Sequence, residues 1–176
     1  MKRVYFVLGF LAVLLVSMSD APERFEWSKN RPLQWSDFKG SPGTIEGWGA
    51  TSSTGISQSY SARSDGYINK EAIVVKAHFY PEYSWVRHSQ KSKHLLGHEQ
   101  THFDITEVYA RKLAKKIEET TFTSNAVEEI KALYQEVEKE RVATQQLFDK
   151  QSEHSINHMK ELQWELKVKR WLEQTQ

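Results

Sequence analysis

The sequence predicts an α+β domain, with an antiparallel β-sheet in its N-terminal half and a helical half after it that carries the chemistry. Three observations predict this division. All four Pro (Pro22, Pro32, Pro42, Pro81) precede residue 82, and after Gly97 there is neither Gly nor Pro. The run Ile73-Val74-Val75-Lys76-Ala77-His78-Phe79-Tyr80 is β-branched and aromatic, the composition of a strand. From Leu95 onward the apolar residues recur at helical rather than alternating spacing.

The first element is not part of the fold. Met1-Lys2-Arg3 is a short basic start, and residues 4–16 run almost unbroken through apolar side chains. Ser17-Met18-Ser19 then puts small residues at positions −3 and −1 of a cleavage after Ser19. This is the plan of a secretory signal peptide over residues 1–19. The apolar run is short for a bilayer anchor, and an uncleaved N-terminal anchor is the alternative. The expected mature chain is one domain, residues 20–176, with a β-rich part at 20–90 and a helical part at 91–176. Without Lys2 and Arg3 it holds 22 basic and 23 acidic residues, a charge of −1. That balance gives no footing for nucleic acid or an anionic membrane as partner. Once the signal is cleaved, no stable membrane insertion is expected. The absence of Cys excludes disulfides and thiolate metal sites, so any metal must be held by His, Asp and Glu. A Cys-free exported chain fits the bacterial envelope, secreted or periplasmic.

Within the β-rich part, Ile56, Ser57, Gln58, Ser59 and Tyr60 alternate loosely, and Ser64-Asp65-Gly66 reads as a turn. With the run at 73–80, which Pro81 stops, they predict a hairpin or a small sheet of three or four strands. In the helical part the first helix is expected over 92–120, with Leu95, Leu96, Phe103, Ile105, Val108, Leu113 and Ile117 on its apolar stripe. Thr123-Ser124-Asn125 signals the cap of a second helix that carries Val127, Ile130, Leu133, Tyr134, Val137, Val142 and Leu147. A third is expected over 152–172, with Ile156, Met159, Leu162, Leu166 and Trp171. Neither Gly nor Pro parts the second from the third, so the pattern leaves their separation open.

The first helix contains His98-Glu99-Gln100-Thr101-His102, the H-E-x-x-H pattern. Residues four apart on a helix stand one above the other, with Cβ atoms about 6 Å apart. Two imidazoles so placed can share one zinc ion at about 2.0–2.1 Å. Glu99, beside the first imidazole, then faces the open position, where a carboxylate can act as general base on water. A catalytic site needs a third protein ligand as well. His94 precedes His98 by one turn, on the wrong side for a compact tripod. His78 lies in a strand and His88 in a polar loop. His154 and His158 open the third helix, which must fold back to bury its apolar face, so either can supply the ligand. The position six beyond His102 is Val108, which excludes the metzincin pattern.

Three stretches carry a family resemblance. Arg31-Pro32-Leu33-Gln34-Trp35-Ser36-Asp37-Phe38-Lys39-Gly40 resembles a W-x-D-F-x-G box. Leu95 to Ile105, with Tyr109-Ala110 and Lys112-Leu113, resembles an H-E-Q-x-H-F-D helix. Phe148-Asp149-Lys150-Gln151-Ser152-Glu153-His154-Ser155 resembles a Y-D-x-x-T-x-H-G box, with Phe148, Ser152 and Ser155 at the Tyr, Thr and Gly positions. In this order the boxes are similar to those of bacterial secreted zinc-dependent proteases first catalogued as a domain of unknown function. The resemblance implies His98, His102 and His154 as zinc ligands and Glu99 as catalytic base. Asp149 then becomes a candidate orienting carboxylate for an imidazole, with a helix-end role as its alternative. Asp104 and Tyr109 are expected in structural roles.

The expected function is hydrolysis of peptide bonds in a peptide or protein substrate. The site would lie between the sheet and a zincin-like helical half, with the substrate paired along a strand edge around 73–80. The competing expectation is an exported binding or assembly protein, with a closed structural zinc site completed by His158 or Asp149, or with a degenerate protease fold.

Overall fold

The structure is a computed structural model that describes residues 21–43 and 47–175. The expected signal peptide lies outside the described residues. Strands β1 (Phe25–Glu26), β3 (Thr54–Ser59) and β4 (Val74–Phe79) form a three-stranded antiparallel sheet in the order β1-β4-β3. A second antiparallel pair joins β2 (Ala50–Thr51) to β5 (Trp85–Val86). The β-branched run is therefore the middle strand. Phe79 pairs with Thr54 on one side and with Phe25 on the other. This narrows the expectation of a substrate edge at 73–80, since β1 covers the strand at His78 and Phe79 and 74–76 pair with β3 alone; alternation marks which face of a strand is apolar and says nothing of its neighbours. The expected turn is present, with the Gly66 N–H donating to the Arg63 carbonyl at 3.0 Å and Gly66 at φ 84°.

Three helices follow: α1 (Lys93–Glu119), α2 (Ala126–Ser152) and α3 (His158–Gln174). Ser92 starts α1, its hydroxyl accepting the Leu95 N–H at 3.1 Å and satisfying one of the free donors at a helix start. α1 packs on both β3 and β4 and on both other helices, so it is apolar on two sides. On one side Phe103, Leu113 and Ile117 join Leu33, Phe38, Ile56 and Phe79. The Phe103 ring lies 5.7 Å from Phe79 and 6.1 Å from Phe25. On the other side Ile105 and Val108 meet Phe148 of α2 and Trp164 and Val168 of α3. Each such side chain stabilises the fold by about 1.5–3 kcal/mol through burial. Among the described residues, no helix is long and apolar enough to cross a membrane.

The second and third helices are separate, and α3 begins at His158 rather than at Ser152. Polar residues part them. Glu153, His154 and Ser155 take φ values of 52°, 51° and 70°, three successive left-handed residues without a Gly. The His154 N–H donates to the Asp149 carbonyl at 3.0 Å and the Asn157 N–H to the Ser152 carbonyl at 2.8 Å, which closes the end of α2. The Asn157 side chain then accepts the Lys160 N–H at 3.2 Å and starts α3. A Cβ in the left-handed region costs roughly 1–2 kcal/mol per residue. Ser155 adds a buried hydroxyl without a hydrogen-bond partner among the described residues. Ser155→Gly is therefore expected to stabilise the chain by about 1 kcal/mol, read as a higher urea midpoint at unchanged slope. An equal or lower midpoint contradicts the strain.

Candidate metal centre

One turn of α1 sets His98 and His102 side by side, their Nε2 atoms 3.3 Å apart and their rings at 80° to one another. α2 crosses above them and brings in Asp149. Its Oδ1 lies 2.9 Å from His102 Nε2 and 3.2 Å from His98 Nε2. Two imidazole nitrogens this close repel through their lone pairs unless a proton or a cation stands between them. Ligand atoms around a tetrahedral ion with bonds near 2.0–2.2 Å lie about 3.3 Å from one another. The triangle of 2.9, 3.2 and 3.3 Å matches that spacing, and the three side chains could hold a metal ion.

The surroundings fix the triangle. Phe148, fully buried and one residue before Asp149, stacks on His98 with centroids 4.6 Å apart and meets His102 edge-on at 5.1 Å. Gln145, one turn earlier on α2, donates from Nε2 to the His102 carbonyl at 3.0 Å. The segment leading into β2 passes close over the start of α1. A Cβ at Gly49 there would press on the end of the Gln90 side chain and lie 3.0 Å from Leu95 Cδ2. The result is a cavity of about 160 Å³ lined by Trp48, Ala50, Glu99, Gln145 and His154 beside the triangle. Glu99 is 3% exposed and faces this cavity.

The other candidates are placed as follows. His154 sits in the left-handed turn, 54% exposed, with Nδ1 3.9 Å from Asp149 Oδ1 and its ring 5.3 Å from Trp48. It lines the cavity, while Asp149 takes the third corner. His158 opens α3 and stacks on His94 at 3.8 Å, away from the pair. His78 is buried in β4, hydrogen-bonded through Nε2 to Ser57 Oγ at 2.6 Å. His88 lies in the short helical turn His88–Gln90. Asp104 points to the opposite side of α1, accepting from Trp27 Nε1 and Gln100 Nε2, each at 2.7 Å, a structural role as expected. The Tyr109 hydroxyl bonds Thr144 Oγ1 at 2.7 Å, and its ring packs against the core. Sequence reasoning weighed Asp149 as an orienting group or as the fourth ligand of a closed site, and did not place it at the third corner. It did not single out Gln145. Phe148 drew notice only as a departure from Tyr.

The triangle is strongly polarised. Burial works against charge on His98, but the hydrogen bond to Asp149 and the nearby Glu161 and Glu99 carboxylates outweigh it and raise the imidazole to about 9. Burial also opposes charge on Asp149, yet His102 and His98 hold its carboxyl well below the usual carboxylate range. A bound proton here does what a metal ion would do, neutralising the repulsion inside the triangle.

Residues 82–155 match the model of a family described as a bacterial protein of unknown function (DUF922). The match takes in His98, Glu99, His102, Asp149 and His154. No curated protein and no solved structure matches the chain.

The sign of the pH dependence follows from the two shifts. His98 is raised from 6.5, so its contribution to stability is full below about pH 6.5 and is lost as pH rises through about 9. Asp149 is lowered from 3.8, so its contribution is present above about 3.8 and is lost as pH falls further. Chelator-treated protein is expected to melt highest between these limits, with Tm declining toward pH 9. Excess divalent metal should remove that alkaline decline, since the cation replaces the proton. A Tm that stays flat from pH 6.5 to 9 in chelator contradicts the reading.

Proposed function

We propose that the chain is a zinc-dependent peptidase of zincin-like plan, exported to the bacterial envelope by residues 1–19. One observation carries the reading: a carboxylate, Glu99, faces a cavity beside three convergent donors, His98, His102 and Asp149. Two imidazoles and one carboxylate suit zinc, and three donors opening onto a cavity suit a catalytic ion better than a structural one, which takes four. The resemblance of the Leu95 to Ile105 stretch to secreted zinc-dependent proteases supports the same reading. In this proposal Asp149 is the third ligand, and His154, which the resemblance implies as ligand, serves the substrate from the cavity wall.

When bound, zinc supplies Lewis-acid polarisation of a carbonyl and makes water a stronger acid. The residues do the rest. Glu99 accepts the proton of the attacking water as its oxygen bonds to the scissile carbon. As the carbon–nitrogen bond breaks, Glu99 returns that proton to the leaving amine, so the carboxylate ends as it began. His154, 3.9 Å from the Asp149 carboxylate and packed on Trp48, stands where a ring N–H can donate to the substrate carbonyl. β2 lines the same cavity and offers a short strand against which an extended peptide can lie.

Glu99→Gln is expected to bind one zinc per chain as wild type does, and to hydrolyse casein or a fluorogenic peptide about 10²–10⁴-fold more slowly. Undiminished hydrolysis by this variant contradicts the role of Glu99. Equal zinc with no hydrolysis by either protein supports the binding-protein alternative. The ligand assignment has its own test. Asp149→Ala should lose zinc affinity, whereas His154→Ala should keep it and lose turnover. The reverse pattern, read by competition with a chromophoric chelator, returns His154 to the ligand set.

A further inference from the structure

Glu161 is buried without obvious reason. It lies in the first turn of α3 with 0% exposure, and neither of its carboxylate oxygens has a hydrogen-bond partner among the described residues. A carboxylate taken out of water without donors opposes folding, and a Leu of similar volume would fill the place at less cost. Two imidazoles face it. His94 Nε2 stands 3.1 Å from Glu161 Oε2 while donating to the Ser155 carbonyl at 3.0 Å. His98 Nδ1 stands 3.8 Å from the same oxygen, and it too is buried and unpartnered among the described residues. One orphaned acceptor thus faces one orphaned donor, on the side of the His98 ring away from Asp149.

We propose that Glu161 is a positioning residue whose Oε2 accepts the Nδ1–H of His98, fixing the tautomer that leaves Nε2 free for the ion. A neutral imidazole carries one proton, so a partner at Nδ1 decides which nitrogen can ligate. The gap is one that a small side-chain rotation closes, and such bonds tighten when the site is filled. His94 holds the carboxylate from its other side. Through Ser155 it also ties this shell to the turn that carries His154. The inference rests on the metal reading above and extends it to a residue outside the H-E-x-x-H helix.

The test compares full-length wild type, Glu161→Leu and Glu161→Gln. Zinc affinity is measured by chelator competition, and the His98 ring by long-range proton–nitrogen NMR. Glu161→Leu is expected to fold with an equal or higher urea midpoint and to bind zinc about 10–100-fold more weakly. Glu161→Gln should recover most of that loss, because its amide oxygen still accepts. The Nδ1 proton of His98 should be exchange-protected in wild type and in Glu161→Gln, and should lose that protection in Glu161→Leu. A Leu variant that binds zinc as tightly as wild type overturns the inference and leaves the peptidase reading standing. Wild type that binds no zinc overturns both. Should Glu161→Leu not fold, the wild-type resonance decides: a protected Nδ1 proton supports the role, and a ring protonated only on Nε2 overturns it.

Discussion

Two imidazoles one helical turn apart aim their Nε2 atoms at a single carboxylate oxygen, and the rest of the architecture accommodates that convergence. α2 must cross α1 so that Asp149 Oδ1 arrives within 2.9 and 3.2 Å of the pair. Phe148, one residue earlier, sets the depth of the crossing by filling the space behind both rings. Gln145, one turn before Asp149, clamps the main chain of α1 at His102. Sliding α2 along α1 would break the carboxylate contact, the ring stack and the clamp together.

The same turn of α1 carries polar groups that a core does not welcome. His98 and Glu99 are buried at 4% and 3% exposure, and Glu161, packed against them from the first turn of α3, at 0%. They are tolerated because α1 has an apolar cluster on each flank, one against the sheet and one against Phe148, Trp164 and Val168. The turn at 153–155 adds backbone strain beside the same cavity. Burial costs and strain are thus gathered at one place, with well-packed apolar clusters on either side.

Much of this was legible in the sequence, and the limits are physical. The motif helix could be read because His98 and His102 are neighbours by local geometry, and Ser92 caps it within a residue of the expected start. Val74 to Phe79 could be read as a strand, but its middle position depends on Phe25 and Thr54, far away in the chain. Asp149 is 47 residues from His102, and no periodicity encodes how two helices align. Its place at the third corner therefore needed the crossing of α2 over α1. Glu161 sits among Lys160, Leu162 and Gln163, where nothing local distinguishes a buried carboxylate from a solvated one. The break before α3 escaped a reading based on Gly and Pro, because Glu153, His154 and Ser155 make the left-handed turn themselves.

Anomalous diffraction from zinc-loaded crystals would show whether the three donors converge on one ion. A single strong peak is expected at about 2.0–2.2 Å from His98 Nε2, His102 Nε2 and Asp149 Oδ1. Zinc bound elsewhere, or bound through His154 with Asp149 beyond bonding distance, would contradict it.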